Sequence, residues 1–131
     1  MEADLLNEES LATAIEGSKF VVHTASPVVF DTSEEEVVGP AVNGTMAVVR
    51  ACHSNRVQRL IITSSITAVT NVADKPVDRT YDENHFSDPN LAGLSFYAKS
   101  KILAEKAAWD FHAALPENVR FELVTICPGL I

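Results

Sequence analysis

Apolar positions along the chain follow two spacings. Residues 20–24, 60–63 and 121–126 are short runs rich in Val, Ile and Phe; the first two are nearly continuous, as expected of strands covered on both faces of a parallel sheet. Around them the spacing becomes helical. Residues 10–16 place Leu11, Ala14 and Ile15 on one side and stop at Gly17, which suits the left-handed position just past a helix end. Residues 40–53 carry a stripe of Val42, Met46 and Val49 flanked by Ala41, Val48 and Cys52, with Pro40 suited to a first helical position. Residues 95–115 make the longest helix, with Ala104, Ala107, Ala108, Phe111 and Leu115 toward the core and Pro116 ending it. Helix, strand, helix, strand, helix, strand is the order of an α/β fold, a three-layer Rossmann-type doubly wound parallel sheet in partial form. The irregular stretch 71–93, with Pro76, Asp78, Pro89, Asn90 and Gly93, follows the second strand. It therefore lies at the carboxyl ends of the sheet, where α/β folds bind ligands.

Composition narrows the function classes. A chain of 131 residues holds one domain at most. Its formal charge of −8, with no cluster of Lys or Arg, argues against a nucleic-acid or anionic-membrane surface. Glu34, Glu35 and Glu36 fit a helix N-terminus, where carboxylates meet the positive end of the macrodipole. Cys52 and Cys127 stand in separate apolar segments without metal-ligand or redox spacing, so they read as buried thiols of a reducing compartment, and no metal site is expected. The first residues have no signal-peptide pattern and no apolar run approaches the length of a bilayer span, which points to a cytoplasmic protein.

The candidate chemistry is a Tyr-Lys pair downstream of a serine pair. Tyr97 and Lys101 are four residues apart on one helix face, so an ammonium can sit beside a phenol and favour its ionised form. Ser64 and Ser65 end the second strand. Together such groups can protonate a carbonyl oxygen while a nicotinamide delivers hydride to the carbon. His23, inside an apolar strand, reads as a core histidine, and Trp109 with Phe111 as packing.

The motifs occur in a telling order: His23-Thr24-Ala25-Ser26-Pro27, Val42-Asn43-Gly44-Thr45, Thr63-Ser64-Ser65, Tyr81-Asp82-Glu83 with Ser87-Asp88, Tyr97-x-x-x-Lys101, and Ala104-Glu105-Lys106-Ala107-Ala108-Trp109. Over essentially its whole length the chain thereby resembles the extended short-chain dehydrogenase/reductase superfamily, and within it the dihydroflavonol 4-reductase and cinnamoyl-CoA reductase group. The resemblance implies an NADP-dependent carbonyl reductase, with NAD left open as the cofactor. Ser65 would hold the substrate carbonyl, Tyr97 would be the general acid, and Lys101 would tune Tyr97 and bind the nicotinamide ribose. Thr24, Ala25 and Ser26 would pass close to the cofactor, Asp4 and Leu5 would contact its adenine, and Pro128 would lie near its carboxamide. Asn71 would join Ser65 in the substrate pocket. The substrate would be a small aldehyde or ketone, although Phe86 stands where this group commonly has tryptophan, which leaves a flavonoid or phenylpropanoid substrate open. A homodimer through helices 40–53 and 95–115 is implied as well.

The chain also departs from the family pattern. Its five glycines are scattered and none forms the glycine-rich turn that receives a cofactor pyrophosphate. The expectation is therefore that residues 1–131 are the central to C-terminal part of a Rossmann dinucleotide-binding domain, without its glycine-rich βαβ unit and without the substrate domain. An exposed edge on the strand at residues 20–24 follows. Two alternatives stand beside the reductase: a truncated, non-catalytic product that binds a full-length relative through its dimer helices, and a sugar-nucleotide epimerase of the same superfamily.

Overall fold

The computed structural model describes residues 2–26, 33–70 and 80–129. Three strands, β1 (Phe20–His23), β2 (Arg59–Thr63) and β3 (Glu122–Ile126), form a parallel sheet in the order β1-β2-β3. Val21 pairs with Leu60 and His23 with Ile62, while Leu60 pairs with Leu123 and Ile62 with Thr125. Parallel pairing requires crossovers, which α2 (Glu34–Ser54) and α4 (Phe96–Ala114) supply. Helix α1 (Glu8–Ile15) precedes β1, and a single-turn α3 (Ile66–Val69) follows β2.

Each helix begins where its sequence offers a cap. Asn7 caps α1, its side chain accepting from Ser10 N–H at 3.1 Å, and Gly17 beyond the end has φ +73°. Ser95 caps α4 by accepting from Ala98 N–H. Helix α2 begins six residues before the expected Pro40. Ser33 accepts from Glu36 N–H while the Glu36 carboxylate accepts from Ser33 N–H, a capping box, and Glu34–Glu36 fill the first turn. These contacts outweigh the proline, which sits inside the helix; Gly39 before it carries no Cβ to meet the proline ring.

The core lies between the sheet and α1, α2 and α4. Leu60, Val49, Cys52 and Ala108 are completely buried, with Leu11, Ile15, Ile62, Phe121 and Leu123 around them. Strand alternation sends Phe20, Val22, Val124 and Ile126 to the opposite face, where they are 39–64% exposed. The expectation of cover on both faces is thus corrected: among the described residues, helices cover one. A continuous apolar run registers a strand's need for cover but not the segment that supplies it. Within the described sheet β1 is an edge strand, as expected.

Candidate active site

Because all three strands are parallel, their carboxyl ends lie along one edge of the sheet. Thr24, Ala25 and Ser26 leave β1 there, Ser64 and Ser65 leave β2, and Pro128 follows β3. The exits of β2 and β3 stay joined: Ser64 N–H donates to the Ile126 carbonyl at 2.8 Å and Ile66 N–H to the Pro128 carbonyl at 2.9 Å. Both serines are buried. Strand alternation turns them in opposite directions. The Ser64 hydroxyl donates to the Glu105 carboxylate on α4, whereas Ser65 Oγ accepts from Thr67 N–H at 3.3 Å and caps α3. That cap uses the Ser65 oxygen as acceptor and does not consume its hydroxyl proton.

The first turns of α4 bring Tyr97 and Lys101 to this edge. Ser100, completely buried, donates to the Tyr97 carbonyl at 2.7 Å. Lys101, 9% exposed, donates from Nζ to the Thr63 carbonyl at 3.3 Å and lies over the Tyr97 ring, 5.8 Å from its centroid. One ammonium therefore touches both the tyrosine and the strand that carries the serines. Lys99 provides the contrast: about 200° further round the helix, it pairs with Glu34 at the start of α2, 2.7 Å away.

The electrostatics follow from burial. Desolvation lowers the pKa of Lys101 below the ordinary lysine value. His23 is buried, with Nε2 3.4 Å from the Thr45 hydroxyl, and is lowered to about 4 by burial and then by the charge of Lys101. The charge of Lys101 is thus felt at the end of β1, directly ahead of residues 24–26. His23 is a satisfied core histidine, as its apolar setting suggested. Trp109 and Phe111 pack against the core, in agreement with their spacing.

Other expected site residues have local roles. Asp4 is exposed, and its carboxylate accepts from Leu6 N–H at 2.9 Å. Leu5 packs on α2 at Gly44, where an added Cβ would lie 3.2 Å from Leu5 Cβ. Since Gly44 adjoins Thr45, which holds His23, Leu5 sits level with the end of β1. No hydrogen bond or ion pair among the described residues joins Asp4 or Leu5 to Tyr97, Lys101 or Ser65. Asn71 lies outside the described residues. The segment after it returns to the site, with Ser87 N–H donating to the Ala68 carbonyl of α3.

Sequence reasoning missed Glu105. This side chain, 4% exposed, accepts from Ser64, from Thr125 Oγ1 at 2.9 Å and from Trp109 Nε1 at 3.3 Å, with Cys127 Sγ at 3.7 Å. The available signal was a lone carboxylate at an inward helix position, between Ala104 and Ala108. Among the described residues no cluster of His, Cys, Asp or Glu could hold a metal ion, and no helix is long and apolar enough to cross a membrane.

The family described as the 3-beta hydroxysteroid dehydrogenase/isomerase family matches residues 1–127. Tetraketide alpha-pyrone reductase 1 of Arabidopsis thaliana is 39% identical over 136 residues, covering 100% of this chain and 40% of the relative. Cinnamoyl-CoA reductase 1 of Petunia hybrida is 40% identical over 132 residues, covering 99% and 38%. Among solved structures, yeast methylglyoxal/isovaleraldehyde reductase Gre2 complexed with NADPH superimposes with a TM-score of 0.80 at 30% identity, over 96% of this chain and 41% of that one. The chain spans about 40% of the length of the curated relatives it matches. A UDP-N-acetylglucosamine 4-epimerase from Bacillus cereus shares the fold, with a TM-score of 0.73 at 18% identity.

Proposed function

The chain belongs to the 3-beta hydroxysteroid dehydrogenase/isomerase family, and from that premise we propose that its carboxyl edge is the catalytic portion of an NADP(H)-dependent carbonyl reductase acting on a small aldehyde or ketone. The observation that carries the reading is the position of Lys101, which is buried, bonded to the Thr63 carbonyl two residues before Ser65, and set over the Tyr97 ring. In this reading the 131 residues are the central to C-terminal part of a Rossmann dinucleotide-binding domain, accompanied in the whole protein by a glycine-rich βαβ unit and a substrate domain.

The residues present fit the nicotinamide end of such a cofactor. Lys101 gives one of its three donors to Thr63, leaving two for ribose hydroxyls. Thr24, Ala25 and Ser26 offer small side chains at the end of β1, where a flat ring can approach the backbone. Asp4 and Leu5 are assigned to the adenine, and Pro128, joined to the serine turn, to the carboxamide. When bound, the cofactor supplies hydride to the carbonyl carbon. The described residues include no glycine-rich turn for its pyrophosphate.

The chain's own groups then manage the carbonyl oxygen. Ser65, whose oxygen is already engaged by Thr67 N–H, donates its hydroxyl to the substrate and fixes the oxygen's position. Asn71 is assigned to the same pocket. Tyr97 donates its phenolic proton to that oxygen as negative charge develops, and the nearby Lys101 ammonium stabilises the phenolate left behind. Two copies would pair through helices 40–53 and 95–115.

One second reading is a non-catalytic product that binds a full-length relative through helices 40–53 and 95–115; the apolar face left open at Phe20, Val22, Val124 and Ile126 favours it, because a chain with such a face uncovered gains by association. The test follows NADPH consumption over a panel of aldehydes and ketones, using the longest polypeptide that carries these residues. Tyr97→Phe is expected to lower kcat by about 100-fold or more while leaving NADPH affinity intact. Full activity in that variant refutes the mechanism. Failure to bind NADPH, together with capture of an intact family member, favours the second reading.

A further inference from the structure

We propose that Glu105 is a positioning residue that locks the serine turn against the Tyr97–Lys101 helix; the proposal rests on the reductase reading above. Ser65 stands at the exit of β2 whereas Tyr97 and Lys101 stand on α4, so their mutual geometry depends on how those two elements are held together. Among the described residues, two side-chain bonds join them directly. Lys101 Nζ reaches the Thr63 carbonyl, and one helical turn further along, Glu105 accepts from the hydroxyl of Ser64.

A single bond would leave the helix free to pivot about it. Two bonds four residues apart, roughly 6 Å along the axis, fix both the height and the rotation of α4 relative to the serine turn. The same carboxylate also accepts from Thr125 on β3 and from Trp109 one turn further along α4, with the Cys127 thiol beside it. A buried carboxylate is stable only where donors compensate its lost hydration, and here they come from β2, β3 and α4 itself. The donors therefore converge on one point, and movement of any of these elements would leave a buried polar group unsatisfied. Among the described residues no ion pair reaches Glu105, so the clamp is built from directional hydrogen bonds.

Gln at this position keeps the volume but offers one acceptor oxygen in place of two, so some of the donors lose their acceptor. A shift of about 1 Å at a reacting group is enough to cost on the order of 100-fold in rate. Glu105→Gln and Ser64→Ala are each expected to lower kcat by about 10- to 100-fold, with NADPH affinity changed by less than about twofold. Combining them should cost less than the product of the two single effects, because the two variants share the Ser64–Glu105 bond. Val57→Ala supplies the control: it hollows the core just before β2, at the end of the sheet opposite the site, and should lower the melting temperature while leaving kcat unchanged. The proposal is overturned if kcat falls with the melting temperature alike in all three variants, or if Ser64→Ala leaves kcat intact.

If the unmodified protein shows no turnover, the reductase reading fails separately, and the clamp is judged by amide hydrogen exchange on the 131-residue chain. Glu105→Gln should then speed exchange at Ser64 and Ile66, whose N–H groups bond Ile126 and Pro128, while Glu122, bonded to Gln58 at the far end of the sheet, keeps its rate. Equal exchange at Ser64 and Ile66 in both proteins overturns it.

Discussion

Acidification should unload stability through His23. In the folded chain this ring is buried against Thr45 and its pKa is lowered from 6.5 to about 4, first by desolvation and second by the charge of Lys101. The unfolded chain takes up a proton at this position below pH 6.5, and the folded chain does so only near pH 4. Between those values the unfolded state binds more protons, so stability is greatest above pH 6.5 and falls as the pH drops toward 4. At about 1.4 kcal/mol per pH unit, the window is worth about 3 kcal/mol, a large share of the margin of a small domain. Asp82 adds no slope in this window. Hydrogen bonds from Asn84 N–H and then from His85 hold its carboxyl below the ordinary value, so its contribution is lost only at lower pH. The assay is urea unfolding followed by the fluorescence of Trp109, the one tryptophan of the chain, at a series of pH values. His23→Gln, neutral at every pH, should remove the His23 share of the slope in this window, with the other three histidines common to both proteins. Equal slopes in the two proteins, or an NMR titration placing the His23 ring near 6.5, would refute the reasoning.

Two further outcomes test the fold that carries the site. Leu60→Ala opens a cavity in the central strand at a completely buried position and should destabilise by about 3 kcal/mol or more in chemical unfolding; a loss below about 1 kcal/mol would mean that β2 is not packed as described. Ser33→Ala removes the capping box of α2 and should cost about 1 kcal/mol, with faster amide exchange at Glu36; an unchanged rate would place the start of the helix nearer Pro40.

Much of this arrangement was legible in the residues. The apolar runs marked all three strands, and Ser95 and Pro116 bracketed α4 to within a residue. An i, i+4 spacing was enough to put Tyr97 and Lys101 on one face and to separate them from Lys99. Helix α2 was less legible. Pro40 is a strong local punctuator, yet the capping box seven residues earlier sets the boundary, because a helix starts where its free N–H groups find acceptors.

What the sequence determined by itself was whatever a local period dictates: the alternation that sets strand faces, the turn that pairs Tyr97 with Lys101, and the opposite directions of Ser64 and Ser65. What only the tertiary structure decided was the partner awaiting each side chain. Ser64 and Glu105 are 41 residues apart, and their meeting depends on α4 crossing over to place β3 beside β2. Leu5 meets Gly44, and His23 meets Thr45, because α2 packs back across the segments that precede it. Local periodicity fixes direction within an element, while hydrogen bonding and burial between elements depend on sheet order, which no single segment contains.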